Sequence, residues 1–106
     1  MVYTLDELKQ KIAPIARKYN IPAVYIFGSY ARGEATEDSD VDVLINREGS
    51  TIHSMFDLGA LYNDLNENLG KGLDLITEDA LTQDETKRRT PLFLENLRQE
   101  RVVIYE

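Results

Sequence analysis

The sequence predicts an α/β (α+β) fold: a small mixed sheet of about four strands with helices packed on it. Three observations predict it. Short apolar runs rich in β-forming residues alternate with longer stretches of helical periodicity, in the order αβαβαβαβ. The 106 residues fit one compact domain, taken as 1–106. An apolar fraction of 42% suffices for a single core.

Thr4 followed by Glu7 reads as a capping box that opens a helix. Leu5, Leu8, Ile12, Ile15 and Ala16 then recur at helical spacing. Pro14 removes one hydrogen bond from that helix and should kink or shorten it. The helix is kept because the apolar face continues on both sides of Pro14. Ile21-Pro22 ends it. Ala23-Val24-Tyr25-Ile26-Phe27 is a buried strand that stops at Gly28, and a short helix or turn follows from Ser29 to Arg32. Asp40 to Ile45 is a second strand. Met55, Leu58, Leu61, Tyr62, Leu65 and Leu69 return to helical spacing, closed by Gly70. Leu73-Asp74-Leu75-Ile76 is a third strand. Thr90-Pro91 looks like an N-cap and first helical position for a helix from Leu92 to Gln99. Val102-Val103-Ile104-Tyr105 is the closing strand.

The net charge of −7 argues against a non-specific nucleic-acid binder, which needs basic charge to neutralise phosphates. So no direct contact with nucleic acid is expected. An acidic surface serves solubility or meets a basic protein. No run of about eighteen apolar residues is present, so no membrane span is expected. The first ten residues carry acidic side chains and no apolar h-region, unlike a signal peptide. The chain has no cysteine, which excludes disulfides, zinc thiolate sites and cysteine nucleophiles. The expected location is cytoplasmic.

The chemistry concentrates in a few residues. Gly28 and Ser29 stand where a strand turns into a helix, a corner that can approach phosphate closely through its backbone. Alone, the pair fits an ordinary turn as well. Asp40 and Asp42 are two apart on a strand and so share a face, while Val41, Val43 and Ile45 point to the core. Two adjacent carboxylates repel, and aspartate is a poor strand former. Either both sit in water at a strand end, or they hold a hard divalent cation, which takes oxygen ligands. Asp74 repeats the anomaly inside an apolar run, unfavourable unless paired, solvated or metal-bound. If its strand neighbours that of Asp40, three carboxylates meet on one face. Two magnesium ions about 3.5–4 Å apart can share such a set.

Gly28-Ser29, then Asp40-x-Asp42, then a later strand aspartate resemble the signature of the polymerase-beta-like nucleotidyltransferase superfamily. Phe27-Gly28-Ser29-Tyr30-Ala31-Arg32-Gly33, followed by Ser39-Asp40-Val41-Asp42-Val43, is similar to its minimal nucleotidyltransferase branch. The resemblance spans nearly the whole chain. It implies that Asp40 and Asp42 bridge two Mg2+ ions, that Asp74 binds the catalytic ion and serves as base, and that Gly28 and Ser29 hold the triphosphate of ATP. The acceptor hydroxyl then attacks the α-phosphorus and pyrophosphate leaves. Arg32, one turn past Ser29, is a candidate phosphate ligand or an ordinary surface arginine. Lys87-Arg88-Arg89 reads as a solvated helix end, His53 as structural or exposed, Ser39 as a brace for the loop before Asp40, and Tyr25, Tyr30 and Tyr62 as packing residues.

Stand-alone members of that branch resemble antitoxins paired with HEPN-type toxins, which are RNA-cleaving. Some resemble adenylyltransferases that place AMP on a toxin tyrosine. The expected function is therefore magnesium-dependent transfer of AMP from ATP to a partner protein, in a hetero-oligomer with a HEPN-type toxin. The short chain, with no residues left for an acceptor-binding domain, agrees with a protein acceptor. Two alternatives remain: a non-catalytic antitoxin that neutralises by contact, and a transferase for a small hydroxylated molecule such as an aminoglycoside. Three partly buried aspartates weigh against the first alternative, and the missing acceptor domain against the second.

Overall fold

The computed structural model describes residues 2–79 and 100–106. The expected helix from Leu92 to Gln99 and the basic run Lys87-Arg88-Arg89 lie outside the described residues. Helix α1 (Leu5–Lys18) opens on the expected capping box. The Thr4 hydroxyl accepts from the Glu7 amide at 3.1 Å, and a Glu7 carboxylate oxygen accepts from the Thr4 amide at 2.9 Å. The helix runs through Pro14. Burial of Leu8, Ile12 and Ala16 on either side of Pro14 outweighs the one missing hydrogen bond.

Strand β1 (Ala23–Phe27) leads into the single-turn helix α2 (Ser29–Arg32), and strand β2 (Val41–Asn46) follows. Helix α3 (Met55–Leu69) is capped by Ser54, whose hydroxyl accepts from the Asp57 amide, and ends at Gly70 with φ 65°. Glycine takes that left-handed conformation without a Cβ penalty. Strand β3 (Leu73–Thr77) and strand β4 (Val102–Tyr105) complete the sheet.

The strand order is β3-β2-β1-β4. β1 pairs antiparallel with both β2 and β4, while β2 and β3 run parallel. The sheet is thus mixed, as expected. One face carries Val24, Ile26, Val41, Val43, Ile45, Leu73 and Ile104, which pack with residues of α1 and α3 in the main core. The other face carries a smaller apolar group of Leu44 with Tyr25, Phe27 and Ile76.

Polar contacts tie α1 to α3. Asp64 accepts from the Tyr19 hydroxyl and from Lys18 Nζ at 3.0 Å. That contact holds the Asp64 carboxyl below its ordinary range and pushes the Tyr19 phenol up to about 12. The Asn68 side-chain amide donates to the Lys11 carbonyl, and the Tyr3 hydroxyl to the Leu69 carbonyl.

Leu58, Leu61, Leu65 and Leu69 form the inward stripe of α3. Met55 and Tyr62, which helical spacing had grouped with them, face outwards instead, at 80% and 38% exposure. Among the expected packing tyrosines, Tyr30 is buried and Tyr25 half-buried. Leu65 is 1% exposed, so Leu65→Ala should cost about 2–5 kcal/mol of unfolding free energy. Urea denaturation measures this. A loss below about 1 kcal/mol would contradict its place in the core.

Candidate active site

The period of a strand dictates where the aspartates go. Val41, Val43 and Ile45 are each at most 1% exposed in the main core, so Asp42 must stand on the opposite face of β2. The parallel register then sets Asp74 directly across from Asp42, because Val41 pairs with Leu73 and Val43 with Leu75. Asp40 lies one residue before the strand, next to the Gly72 end of β3, where the Val41 amide donates to the Gly72 carbonyl at 2.9 Å. The expectation that three carboxylates gather at neighbouring strands is met in the backbone.

Two glycines make room for them. Gly28 caps α2 with φ 72° and ψ −148°, a conformation that other residues rarely adopt. A Cβ at Gly28 would overlap Asp42 Oδ2, and a Cβ at Gly72 would overlap Asp40 Oδ1. The Asp42 carboxylate therefore rests over the Gly28 backbone, and that of Asp40 over Gly72. Gly72 was not singled out in the sequence. Its signal is present there: it precedes Asp74 by two residues and so faces the same way.

Ser29 opens α2 beside Gly28 and is half-buried. Its carbonyl accepts from the Glu34 amide, and the Gly28 carbonyl from the Arg32 amide. Tyr30 sends its ring into the core while its hydroxyl accepts from Lys71 Nζ at 2.6 Å. That contact links the glycine corner to the segment before β3. Ser39 braces the loop before Asp40 as expected, its hydroxyl accepting from the Thr36 amide at 2.9 Å. Arg32 lies on the surface, paired with Glu34 and Glu100 at 3.2 Å each. His53 is exposed.

Burial differs among the carboxylates. Asp42 is half-buried, whereas Asp40 and Asp74 are exposed. The idea of three partly buried aspartates needs correction: both outer ones reach water, since one precedes its strand and the other sits on an edge strand. Burial, then Asp74, then Asp40 raise the Asp42 pKa, and Arg32 opposes them. Among the described residues, no three acidic or histidine side chains are already drawn close enough to hold an ion as they stand. The donor set still suits a hard cation: carboxylate oxygens on one face, two of them seated over bare glycine backbone. The exposed pair can turn between rotamers at small cost.

A raised Asp42 pKa means that its ionisation works against folding. Stability is present below the unfolded value and lost as pH rises through the folded one. In cation-free buffer, Asp42→Asn should therefore melt above the unsubstituted chain near about pH 7, with the gap closing towards about pH 4. Thermal melts of both chains across that range check it. An Asn variant that melts lower near neutrality would contradict the repulsion.

The chain is similar to several known proteins. The sequence matches the family model described as "Polymerase beta, Nucleotidyltransferase" over residues 10–106. A Methanocaldococcus jannaschii protein named "Putative protein adenylyltransferase" is 42% identical over 77 residues, covering 73% of this chain and 81% of the relative. The "Protein adenylyltransferase MntA" of Thermococcus cleftensis is 34% identical over 82 residues, covering 74% and 81%. Among solved structures, one described as "Structure of putative minimal nucleotidyltransferase" aligns at a TM-score of 0.67 and 29% identity, covering 94% of this chain and 95% of that one. Another, "Crystal structure of the toxin-antitoxin with AMP-PNP", aligns at 0.65 and 17% identity, covering 92% and 72%. At that identity it speaks for the fold alone. The expected family is therefore confirmed by both the pattern and the fold: the chain is an enzyme of the polymerase beta nucleotidyltransferase family.

Proposed function

We propose that this enzyme transfers AMP from ATP to a hydroxyl of a partner protein, a tyrosine of a HEPN-type toxin, and so acts as an antitoxin. The observation that carries the chemistry is the alignment of Asp42 with Asp74 across β2 and β3, with Gly28 beneath the Asp42 carboxylate. The protein acceptor draws on the names of the relatives. The toxin partner, its HEPN type and the tyrosine draw on the family resemblance. The chain is read as one domain over 1–106, placed in the cytoplasm.

In this reading Asp40, Asp42 and Asp74 would hold two Mg2+ ions, which would supply positive charge against the charge developing on the attacking and leaving oxygens. The Gly28 backbone lets the triphosphate come close, and the Ser29 hydroxyl donates to one of its oxygens. Asp74, exposed at the sheet's margin, accepts the proton of the acceptor hydroxyl. That oxygen bonds to the α-phosphorus as the bond to the β-phosphate bridge breaks and pyrophosphate departs. Arg32 is assigned to the phosphates, which requires it to leave Glu34 and Glu100. Both of those ion pairs are exposed, and exposed pairs exchange readily for solvent or another anion.

A contact-only antitoxin is the competing account, and the exposure of Asp40 and Asp74 is what favours it, since solvated carboxylates tolerate the absence of a cation. Intact-mass measurement of the toxin, incubated with the enzyme, ATP and Mg2+, separates the two. One or more AMP-sized increments are expected, absent with Asp40→Asn or Asp42→Asn. Ser29→Ala should slow the transfer by about 10- to 1000-fold, as loss of a donor to developing charge does. If no increment forms, and the Asn variants still neutralise the toxin, contact alone is the mechanism.

A further inference from the structure

Two short segments flank the carboxylate strand β2, and neither is stiff by itself. Helix α2 is four residues long, and its N-cap, Gly28, has no side chain to cap it with. A single helical turn has no stability of its own. Lys71 leads into β3 between Gly70 and Gly72, and glycine adds conformational freedom on both sides of it. Both segments nevertheless carry site residues. Ser29 opens α2. Gly72 underlies the Asp40 carboxylate, and Asp74 follows two residues later.

The two segments are joined tip to tip. Lys71 Nζ donates to the Tyr30 hydroxyl at 2.6 Å and stands 5.1 Å from the centre of its ring. The order β3-β2-β1 sets the end of β1 and the start of β3 on either side of β2, where Phe27 pairs with Asp42 and Val41 with Leu73. Two strand spacings make about 9–10 Å, a gap that two long side chains meeting end to end can cross. The crossing lies on the core side of the sheet. Tyr30 is 4% exposed and clusters with Val41, Leu69 and Leu73, whereas Asp42 stands on the other face. Burial explains an aromatic ring at position 30. It does not explain the hydroxyl, since phenylalanine would bury the same ring, nor the lysine that reaches it.

We propose that Lys71 is a positioning residue for the transfer reaction. Through the Tyr30 hydroxyl it fixes Ser29 relative to Asp74 across β2, so that a phosphate held at the corner and a proton acceptor at Asp74 keep one spacing. The proposal rests on the assignment of Gly28 and Ser29 to the triphosphate and of Asp74 as base. Lys71 touches neither ATP nor the acceptor in this account, so its loss slows turnover and leaves nucleotide binding alone.

Tyr30→Phe and Lys71→Met each remove the bond at nearly constant volume, and Lys71→Arg keeps a donor. Initial rates of AMP transfer to the toxin are measured against ATP concentration. In the first two variants kcat should fall about 10- to 100-fold, the scale of a small misplacement. KM for ATP should change less than about twofold, because binding is untouched. Lys71→Arg should restore most of the rate. Tyr30→Phe combined with Lys71→Met should be no slower than either alone, because one bond is lost once. In cation-free, isotope-labelled protein the Gly28 and Ser29 amide shifts should move in Lys71→Met and return in Lys71→Arg. Unchanged rates, a raised KM at unchanged kcat, losses that multiply in the double variant, or a slowing that follows a lowered melting temperature would each overturn the positioning role. If the unsubstituted chain transfers no AMP, the acceptor assignment has failed, and the amide shifts decide: movement restored by arginine supports the strap, and no movement overturns it.

Discussion

Burial of Val41, Val43 and Ile45 against the helices governs the placement of the carboxylates on β2. Side chains alternate along a strand, so burying these three turns Asp42 outwards on the other face. A slip of one residue would drive Asp42 into the core and expose the valines. The same logic applies on β3, where Leu73 is buried and Asp74 is not. Parallel pairing then brings the two aspartates opposite each other. The hydrophobic core thus sets a geometry that electrostatics alone would oppose, because like charges directly across a strand pair repel.

The glycines make that geometry sterically possible. Gly28 must take a positive φ and must lack a Cβ, since the Asp42 carboxylate occupies the space. Gly72 does the same for Asp40. Tyr30 and Lys71 join the glycine corner to the start of β3, and the contacts of Asp64 with Lys18 and Tyr19 brace the helices behind the sheet. The Tyr30–Lys71 contact thereby ties the carboxylate end together, while Met55 of α3 lies towards the other end.

Much of this was legible in the sequence because the signals are local. Capping at Thr4, closure at Gly70 and the alternation around Asp42 all act within a few residues. The corner at Gly28 was visible for the same reason. Two things were hidden. The parallel register that sets Asp74 against Asp42 depends on pairing between strands distant in sequence, which no local period encodes. Exposure was hidden as well. Asp74 sits among leucines in sequence yet reaches water because β3 is an outermost strand. Met55 and Tyr62 share helical spacing with the leucines of α3, and periodicity alone could not separate an inward stripe from an outward one. Arg32 was seen as a cation near Ser29, but its partners Glu34 and Glu100 include one that arrives only through folding.

Binding of a divalent cation at the Asp40, Asp42 and Asp74 end of the sheet is the central claim. Paramagnetic Mn2+ in place of Mg2+, added with ATP to isotope-labelled protein, tests it most directly, because the ion broadens the resonances of nearby amides. Broadening centred on Gly28, Ser29, Asp42 and Gly72, and lost in Asp42→Asn, is the predicted result. Broadening centred on Glu48, Glu78 and Asp79 at the opposite end, or an Asp42→Asn spectrum that broadens as before, would contradict it.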